Sequence, residues 1–303
     1  MELKYEFCIF LCILPFLHYL CSIIITRMEF RTIIDIPHAS FEIMPCEEIL
    51  LVGSCFADGI GRKFKENGFP AIVNPYGTMY NPASILHTIE RLLPERVSEG
   101  KQKPAPRIVF LTLGTNHVYR LKETGEIVDN CEKRPASFFE EEELSVEKCA
   151  DFLQQAIDIL RKMNPEVQIV LTVSPIRYRK YGYHESQLSK ATLLLATSRT
   201  SKTSYFPAYE ILMDELRDYR FYATDMLHPS EQAIDYIWER LSEWCLSPEA
   251  KSFIEEWRPI RQALSHRPFH PESEEYRHFK AQTQARLQAL KTKYPQLQDI
   301  QFP

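Results

Sequence analysis

The sequence predicts an α/β domain of three layers, a parallel five-stranded sheet with helices on both faces. Short β-branched runs alternate with segments of helical periodicity from residue 30 onward, and this alternation implies parallel strands joined by helical crossovers. Several strands end in Gly or Ser-Pro, and polar or reactive residues gather at those ends. Open parallel sheets bind ligands there, at the carboxyl ends of their strands. The expected strand order is 2-1-3-4-5, with the first strand inside the sheet.

The first strand, 49–52, is apolar and ends at Gly53; residues 56–67 follow as a helix with Ile60 and Phe64 on one face and Gly68 as its C-cap. The second strand is 71–73. Asn81-Pro82 then opens a helix as N-cap and first-turn proline, with Ile85, Leu86, Ile89, Leu92 and Leu93 on its buried stripe. The third strand, 107–113, ends at Gly114. Residues 118–121 and 126–128 around Thr124-Gly125 read as a hairpin. Ser145 caps a long helix, and the fourth strand, 167–173, runs into Ser174-Pro175. A helix over 186–197, a short strand at Tyr205-Phe206 and a last core helix from Ser230 complete the domain, which is expected over 28–247. Residues 248–303 lose the strand pattern and read as a charged, helical tail.

Composition bounds the function. The chain has 303 residues, of which 45% are hydrophobic and 25% charged. That is ordinary globular composition, not that of a disordered or fibrous protein. A net charge of −5 without a Lys/Arg run argues against a nucleic-acid partner. Eight Cys without a CxxC pair argue against a disulfide framework or zinc site and fit a reducing compartment. No cofactor or metal is expected. Gly59-x-Gly61 lacks the third glycine and acidic partner of a dinucleotide fingerprint, and His266 and His270 have no third ligand. The leader, residues 1–27, contains an uncharged run from Phe7 to Ile25. It reads either as a single-pass membrane anchor or as an extension before a true start at Met28, which would make the protein cytoplasmic.

Three strand-end segments carry chemistry. Gly53-Ser54-Cys55-Phe56-Ala57 runs from strand to helix through small residues, so a side chain there meets the positive end of a helix. Alone, it would read as a capping Ser and a buried Cys. Gly114-Thr115-Asn116-His117 offers an amide donor for a developing oxyanion, or a turn residue. Asp225-Met226-Leu227-His228 places an acid three residues before a His, able to orient the ring and leave its other nitrogen as a base. Arg177 and Lys190 could grip an anionic substrate, although solvated side chains would look the same. Tyr76 and Tyr80 flank Gly77, suiting carbohydrate stacking or plain packing.

The Gly53-Ser54-Cys55-Phe56-Ala57 string resembles the name-giving motif of the GSCFA domain family, typical of Bacteroidetes. The flanking Asn74-Pro75-Tyr76-Gly77, Ser174-Pro175-Ile176-Arg177, Gln187-Leu188-Ser189-Lys190-Ala191 and Asp225-Met226-Leu227-His228-Pro229 are similar to it too. The resemblance implies a flavodoxin-like SGNH (GDSL-like) hydrolase fold. It implies oxyanion donors at Gly77 and Asn116 and a late Asp225/His228 pair. Where that superfamily has Gly-Asp-Ser, this chain has Gly53-Ser54-Cys55, so either Cys55 is the nucleophile by register or Ser54 attacks. The segment 94–106 is shorter than the family's Trp- and His-containing insert.

The function expected is hydrolysis of acyl esters by Cys55 or Ser54 with His228 and Asp225, with Arg177 and Tyr76 as substrate contacts. The substrate would be a small acyl ester or an acylated carbohydrate. Two other functions fit: an acyltransferase with a thioester donor, since a thiol exchanges readily with a thioester, and a non-catalytic carbohydrate- or ligand-binding module.

Overall fold

The computed structural model describes residues 30–98, 106–267, 269–270 and 272–298. The hydrophobic run from Phe7 to Ile25 lies outside them. Among the described residues no helix is long and apolar enough to cross a membrane.

Strand β1 (Ile49–Gly53) leads into helix α1 (Cys55–Glu66), and β2 (Ala71–Val73) into α2 (Pro82–Ser98). Next come β3 (Ile108–Leu113), β4 (His117–Leu121), β5 (Ile127–Val128), β6 (Phe139–Glu143) and α3 (Val146–Met163). The chain continues through β7 (Gln168–Val173), α4 (Tyr183–Ser198), β8 (Ser204–Tyr205) and α5 (Glu231–Cys245). Two further helices, α6 (Pro248–Ser265) and α7 (Glu274–Lys293), follow.

The main sheet runs β2-β1-β3-β7-β8 with every neighbouring pair parallel. Counted along the chain within this sheet, that is the expected order, with the first strand inside. β1 and β3 are buried at every residue because both faces are covered by helices. Leu153, Ala156, Ile157 and Leu160 of α3 join Ile85 and Ile89 of α2 in the core of one face. On the other face Phe64 of α1 meets Trp238 of α5 edge-on, with ring centroids 4.7 Å apart. Side-chain caps start the helices where the sequence places them: Asn81 Oδ1 accepts from Ser84 N–H, Ser145 Oγ from Lys148 N–H and Ser230 Oγ from Ala233 N–H. The C-cap of α1 is Asn67, one residue before the expected Gly68, which follows in a left-handed turn at φ +83°.

The smaller sheet departs from the sequence expectation. The hairpin of β4 and β5 has a third strand, β6, on the free edge of β4, forming an antiparallel sheet ordered β5-β4-β6. The sequence of β6, Phe-Glu-Glu-Glu-Glu, hides it, because an exposed edge strand needs no apolar alternation. The tail forms the helices α6 and α7, and α6 packs on the outside of the domain. Phe253 of α6 packs edge-on against Phe69 at 5.8 Å, and Trp257 Nε1 donates to the Glu66 carbonyl at 2.9 Å. These contacts sit at the far end of α1 from Cys55, about 16 Å along the helix axis.

The sheet's carboxyl edge depends on close backbone packing. Gly53 adopts φ +144°, and a Cβ there would lie 2.1 Å from the Thr112 carbonyl oxygen. Gly53→Ala therefore combines backbone strain with overpacking against a neighbouring strand and should cost about 3 kcal/mol or more. Urea denaturation of the variant measures this; a loss below about 1 kcal/mol would mean that β1 and β3 can separate locally.

Candidate functional site

The turn between β1 and α1 fixes which of two adjacent side chains can reach the site. Ser54 is the N-cap of α1: its Oγ accepts from Phe56 N–H at 3.2 Å and lies 2.6 Å from Ser174 Oγ. Thr112 Oγ1 is 3.4 Å away on the other side. The Ser54 side chain is fully buried and joins the ends of β1, β3 and β7. Cys55, the first residue of the helix, points the other way and is half-buried. The turn is braced from outside by Asn74, whose Oδ1 accepts from Gly53 N–H at 2.9 Å and whose Nδ2 donates to Asp58 Oδ1 at 3.0 Å.

The loop before α5 brings the second component. Asp225 Oδ1 accepts from the backbone N–H groups of Leu227 and His228, at 2.8 and 3.0 Å, folding the loop around its own carboxylate. The other oxygen, Oδ2, lies 2.6 Å from His228 Nδ1. With that carboxylate as acceptor, Nδ1 carries the ring proton and Nε2 presents a lone pair. Nε2 is 3.2 Å from Cys55 Sγ. Thus Cys55, His228 and Asp225, 170 residues apart in the chain for the first and last, form one hydrogen-bonded line.

Burial pushes the Cys55 thiol up to about 11; its own backbone N–H opposes this, and the carboxylates of Asp58 and Asp225 add to it. The bond to the His228 ring, with the two backbone N–H donors, holds the Asp225 carboxyl down at about 2. It stays ionised throughout the neutral range and remains an acceptor for Nδ1. The thiol, in contrast, stays protonated and needs a base.

Two clefts meet at Cys55 and His228. One, about 430 Å³, is lined by Tyr80, Ile176, Arg177, Tyr178, Arg179, Lys180 and Leu227 together with the pair. The other, about 340 Å³, is lined on the α1 side by Asp58, Arg62, Glu231 and Ile234. Arg177 therefore borders the site, but its guanidinium donates to the Met226 carbonyl at 3.0 Å and lies over the rings of Tyr183 and Tyr222. Among the described residues, no three His, Cys, Asp or Glu side chains converge as a metal site.

The remaining residues singled out in the sequence lie elsewhere or are otherwise engaged. Gly77 N–H donates to the Asn74 carbonyl at 2.9 Å, closing a turn. Asn116 is buried, and its Nδ2 donates to the Leu144 carbonyl at 2.8 Å. Tyr76 packs against the core, with the Arg91 guanidinium 4.0 Å from its ring centroid. Lys190 is fully buried rather than solvated, and its Nζ donates to the carbonyls of Gly114 and Ser174 at 2.6 and 2.8 Å, tying β3 to β7. Burial pushes its ammonium down to about 7. Tyr178, in the loop after β7, was not singled out in the sequence and lines the larger cleft; it stands at a carboxyl strand end, as the residues that were singled out do.

Residues 48–103 and 98–241 match the model of the GSCFA family, and residues 257–301 match that of the GSCFA domain protein C-terminal domain. No curated protein matches the chain. Solved structures resemble it remotely. An acetyl esterase variant with acetate ion is 11% identical, with 69% of this chain and 99% of that one covered at a TM-score of 0.40. A member of the lipolytic G-D-S-L family from Veillonella parvula is 14% identical, covering 65% and 97% at 0.42. The family 3 carbohydrate esterase of Clostridium thermocellum is 16% identical, covering 73% and 99% at 0.36.

The electrostatics predict how the free thiol reacts. Below a thiol pKa of about 11, the thiolate fraction grows roughly tenfold per pH unit. Iodoacetamide alkylation of Cys55, corrected with Cys55→Ala for the other thiols, should therefore climb steeply from pH 7 to pH 10. A rate already level at pH 7 would reveal a preformed thiolate–imidazolium pair instead.

Proposed function

The chain belongs to the GSCFA family, and from that premise we propose that it is an acyl-ester hydrolase whose nucleophile is Cys55. The observation that carries this reading is the 3.2 Å contact between Cys55 Sγ and His228 Nε2, with Asp225 behind the ring. A cysteine at the head of a helix, paired with a histidine that a carboxylate orients, is the arrangement nucleophilic acyl transfer requires.

The cycle follows from the protonation states. His228 Nε2 takes the proton of the Cys55 thiol as sulfur attacks the ester carbonyl, forming a C–S bond and moving the carbonyl π electrons onto oxygen. The tetrahedral intermediate collapses, the C–O bond to the alcohol breaks, and the imidazolium returns its proton to the departing alkoxide. An acyl-thioester on Cys55 remains. Water then attacks with His228 again as base, the C–S bond breaks, and the acid leaves as the thiol is re-protonated. Asp225 stays ionised and stabilises each imidazolium. The two clefts on either side of Cys55 provide separate places for the acyl and alcohol portions. The half-open cleft walled by Tyr80 and Tyr178 suits a small acyl ester or an acylated sugar, whose ring could lie on a tyrosine face.

Turnover of p-nitrophenyl acetate tests the roles. Cys55→Ala should lose about 10³-fold or more in kcat, and His228→Ala about 10²- to 10⁴-fold. Ser54→Ala should keep turnover within about tenfold of native, since the hydroxyl positions the Cys55 turn without reacting, while losing about 1–3 kcal/mol of stability, because it removes a helix cap and strands the Ser174 hydroxyl. Full activity in Cys55→Ala, with activity abolished in Ser54→Ala, would reverse the assignment. No turnover by the native protein on acetyl esters or thioesters would favour a binding module.

A further inference from the structure

The two clefts that meet at Cys55 differ in charge. The one on the α1 side is lined by two carboxylates, Asp58 and Glu231, and its Arg62 is bonded to Glu231 at 2.6 Å. The larger one is lined by Arg177, Arg179 and Lys180, and by no Asp or Glu. In a chain of net charge −5, three cations along one cleft without an acid run against the average. We propose that the ester substrate carries a negatively charged group and that the Arg179 guanidinium binds it in the larger cleft. This names the substrate class of the ester hydrolase described above and rests on that reading.

The three cations are not equivalent. Arg177 is committed, since its guanidinium donates to the Met226 carbonyl at 3.0 Å and lies over the rings of Tyr183 and Tyr222. Lys180 is paired with Glu141, 3.2 Å away, and donates to the Tyr119 hydroxyl. Arg179 is exposed, and its guanidinium has no hydrogen bond, ion pair or ring contact among the described residues. Its donors remain open to a ligand.

The backbone beneath that side chain is held. Arg179 opens a 3-10 turn (Arg179–Tyr181), which Gly182 N–H closes by donating to the Arg179 carbonyl at 3.0 Å. The preceding Tyr178 N–H donates to Ser186 Oγ at 3.2 Å, and Arg177 N–H donates to the Leu227 carbonyl at 3.0 Å. That last bond ties the segment to the loop of His228, so the guanidinium and the base stand on two loops joined to each other. A guanidinium presents paired N–H donors that match two oxygens of a carboxylate or phosphate, and such charge-assisted bonds are among the stronger ones. No carboxylate on the cleft wall competes for them.

Two measurements on the full-length protein test this, one with turnover and one without. Mono-4-nitrophenyl glutarate carries a carboxylate on its acyl portion, and 4-acetoxybenzoate carries one on its alcohol portion. For each, kcat/KM is divided by that of its neutral carboxamide, which cancels effects common to both esters. At least one of these ratios should fall about fivefold in Arg179→Gln and further in Arg179→Glu, while Arg179→Lys keeps part of it. The ester that responds shows which portion enters the larger cleft. In the native protein the same ratio should shrink as salt rises from about 0.02 M to about 0.5 M, because the charges lie near solvent.

Alkylation gives the readout without turnover. Iodoacetate and iodoacetamide each form a C–S bond to Cys55 with loss of iodide, and only the first is anionic. Their rate ratio at Cys55, corrected with Cys55→Ala for the other thiols, should fall about two- to fivefold in Arg179→Gln and further in Arg179→Glu.

Ester ratios that stay native in both Arg179→Gln and Arg179→Glu would overturn the proposal. So would an unchanged alkylation ratio in Arg179→Glu, which would show that the guanidinium does not act on anions beside Cys55. Failure of the hydrolase reading looks different: no ester is turned over, or Cys55→Ala keeps its turnover, while the alkylation ratio still follows the charge at Arg179.

Discussion

The buried Ser54 hydroxyl is the fixed point on which the site depends. It ends β1, caps α1, and reaches across to Ser174 at the end of β7. Such a group must be satisfied inside the protein, since an unpaired hydroxyl there would cost about as much as a lost hydrogen bond. Satisfying it sets the direction of the turn, and the next side chain, Cys55, is left facing the cleft. Thr112 and Gly53 lie so close that no larger residue fits at the start of this turn. The choice between two chemically plausible nucleophiles is thus made by backbone packing and capping, before any reactivity enters.

What the site gains from this placement is position rather than a ready-made thiolate. Burial raises the Cys55 thiol further than its own backbone N–H lowers it. The compensating element is the Asp225–His228 loop, which folds on its own carboxylate and delivers a lone pair to sulfur. The Lys190 bonds to the Gly114 and Ser174 carbonyls hold β3 and β7 together beneath that cleft. The Cys55–His228–Asp225 line and the structural polar groups therefore occupy adjacent levels of one sheet edge.

Much of the framework was legible in the sequence because strands buried on both faces cannot hide. Ile49–Gly53 and Ile108–Leu113 are near-continuous apolar runs, and the caps Asn81, Ser145 and Ser230 mark helix starts by side-chain chemistry alone. β6 was illegible for the opposite reason: four consecutive glutamates on an exposed edge carry no burial signal. At the site, the spacing of Asp225 and His228 shows that they can pair. The choice between Ser54 and Cys55, however, depends on which side chain finds a buried partner across three strands. The engagement of Asn116 with Leu144, and the burial of Lys190 and the Tyr178 hydroxyl, are likewise tertiary facts that no local pattern encodes.

The central claim is that a covalent acyl group passes through Cys55, and trapping it is the most direct test. Protein quenched in acid during turnover of p-nitrophenyl acetate should yield, on digestion and mass spectrometry, a peptide acetylated at the Cys55 sulfur. That label should be labile to hydroxylamine, as thioesters are, and absent from Cys55→Ala. An acetyl group found instead on Ser54, or equal labelling of the Cys55→Ala protein, would contradict the account.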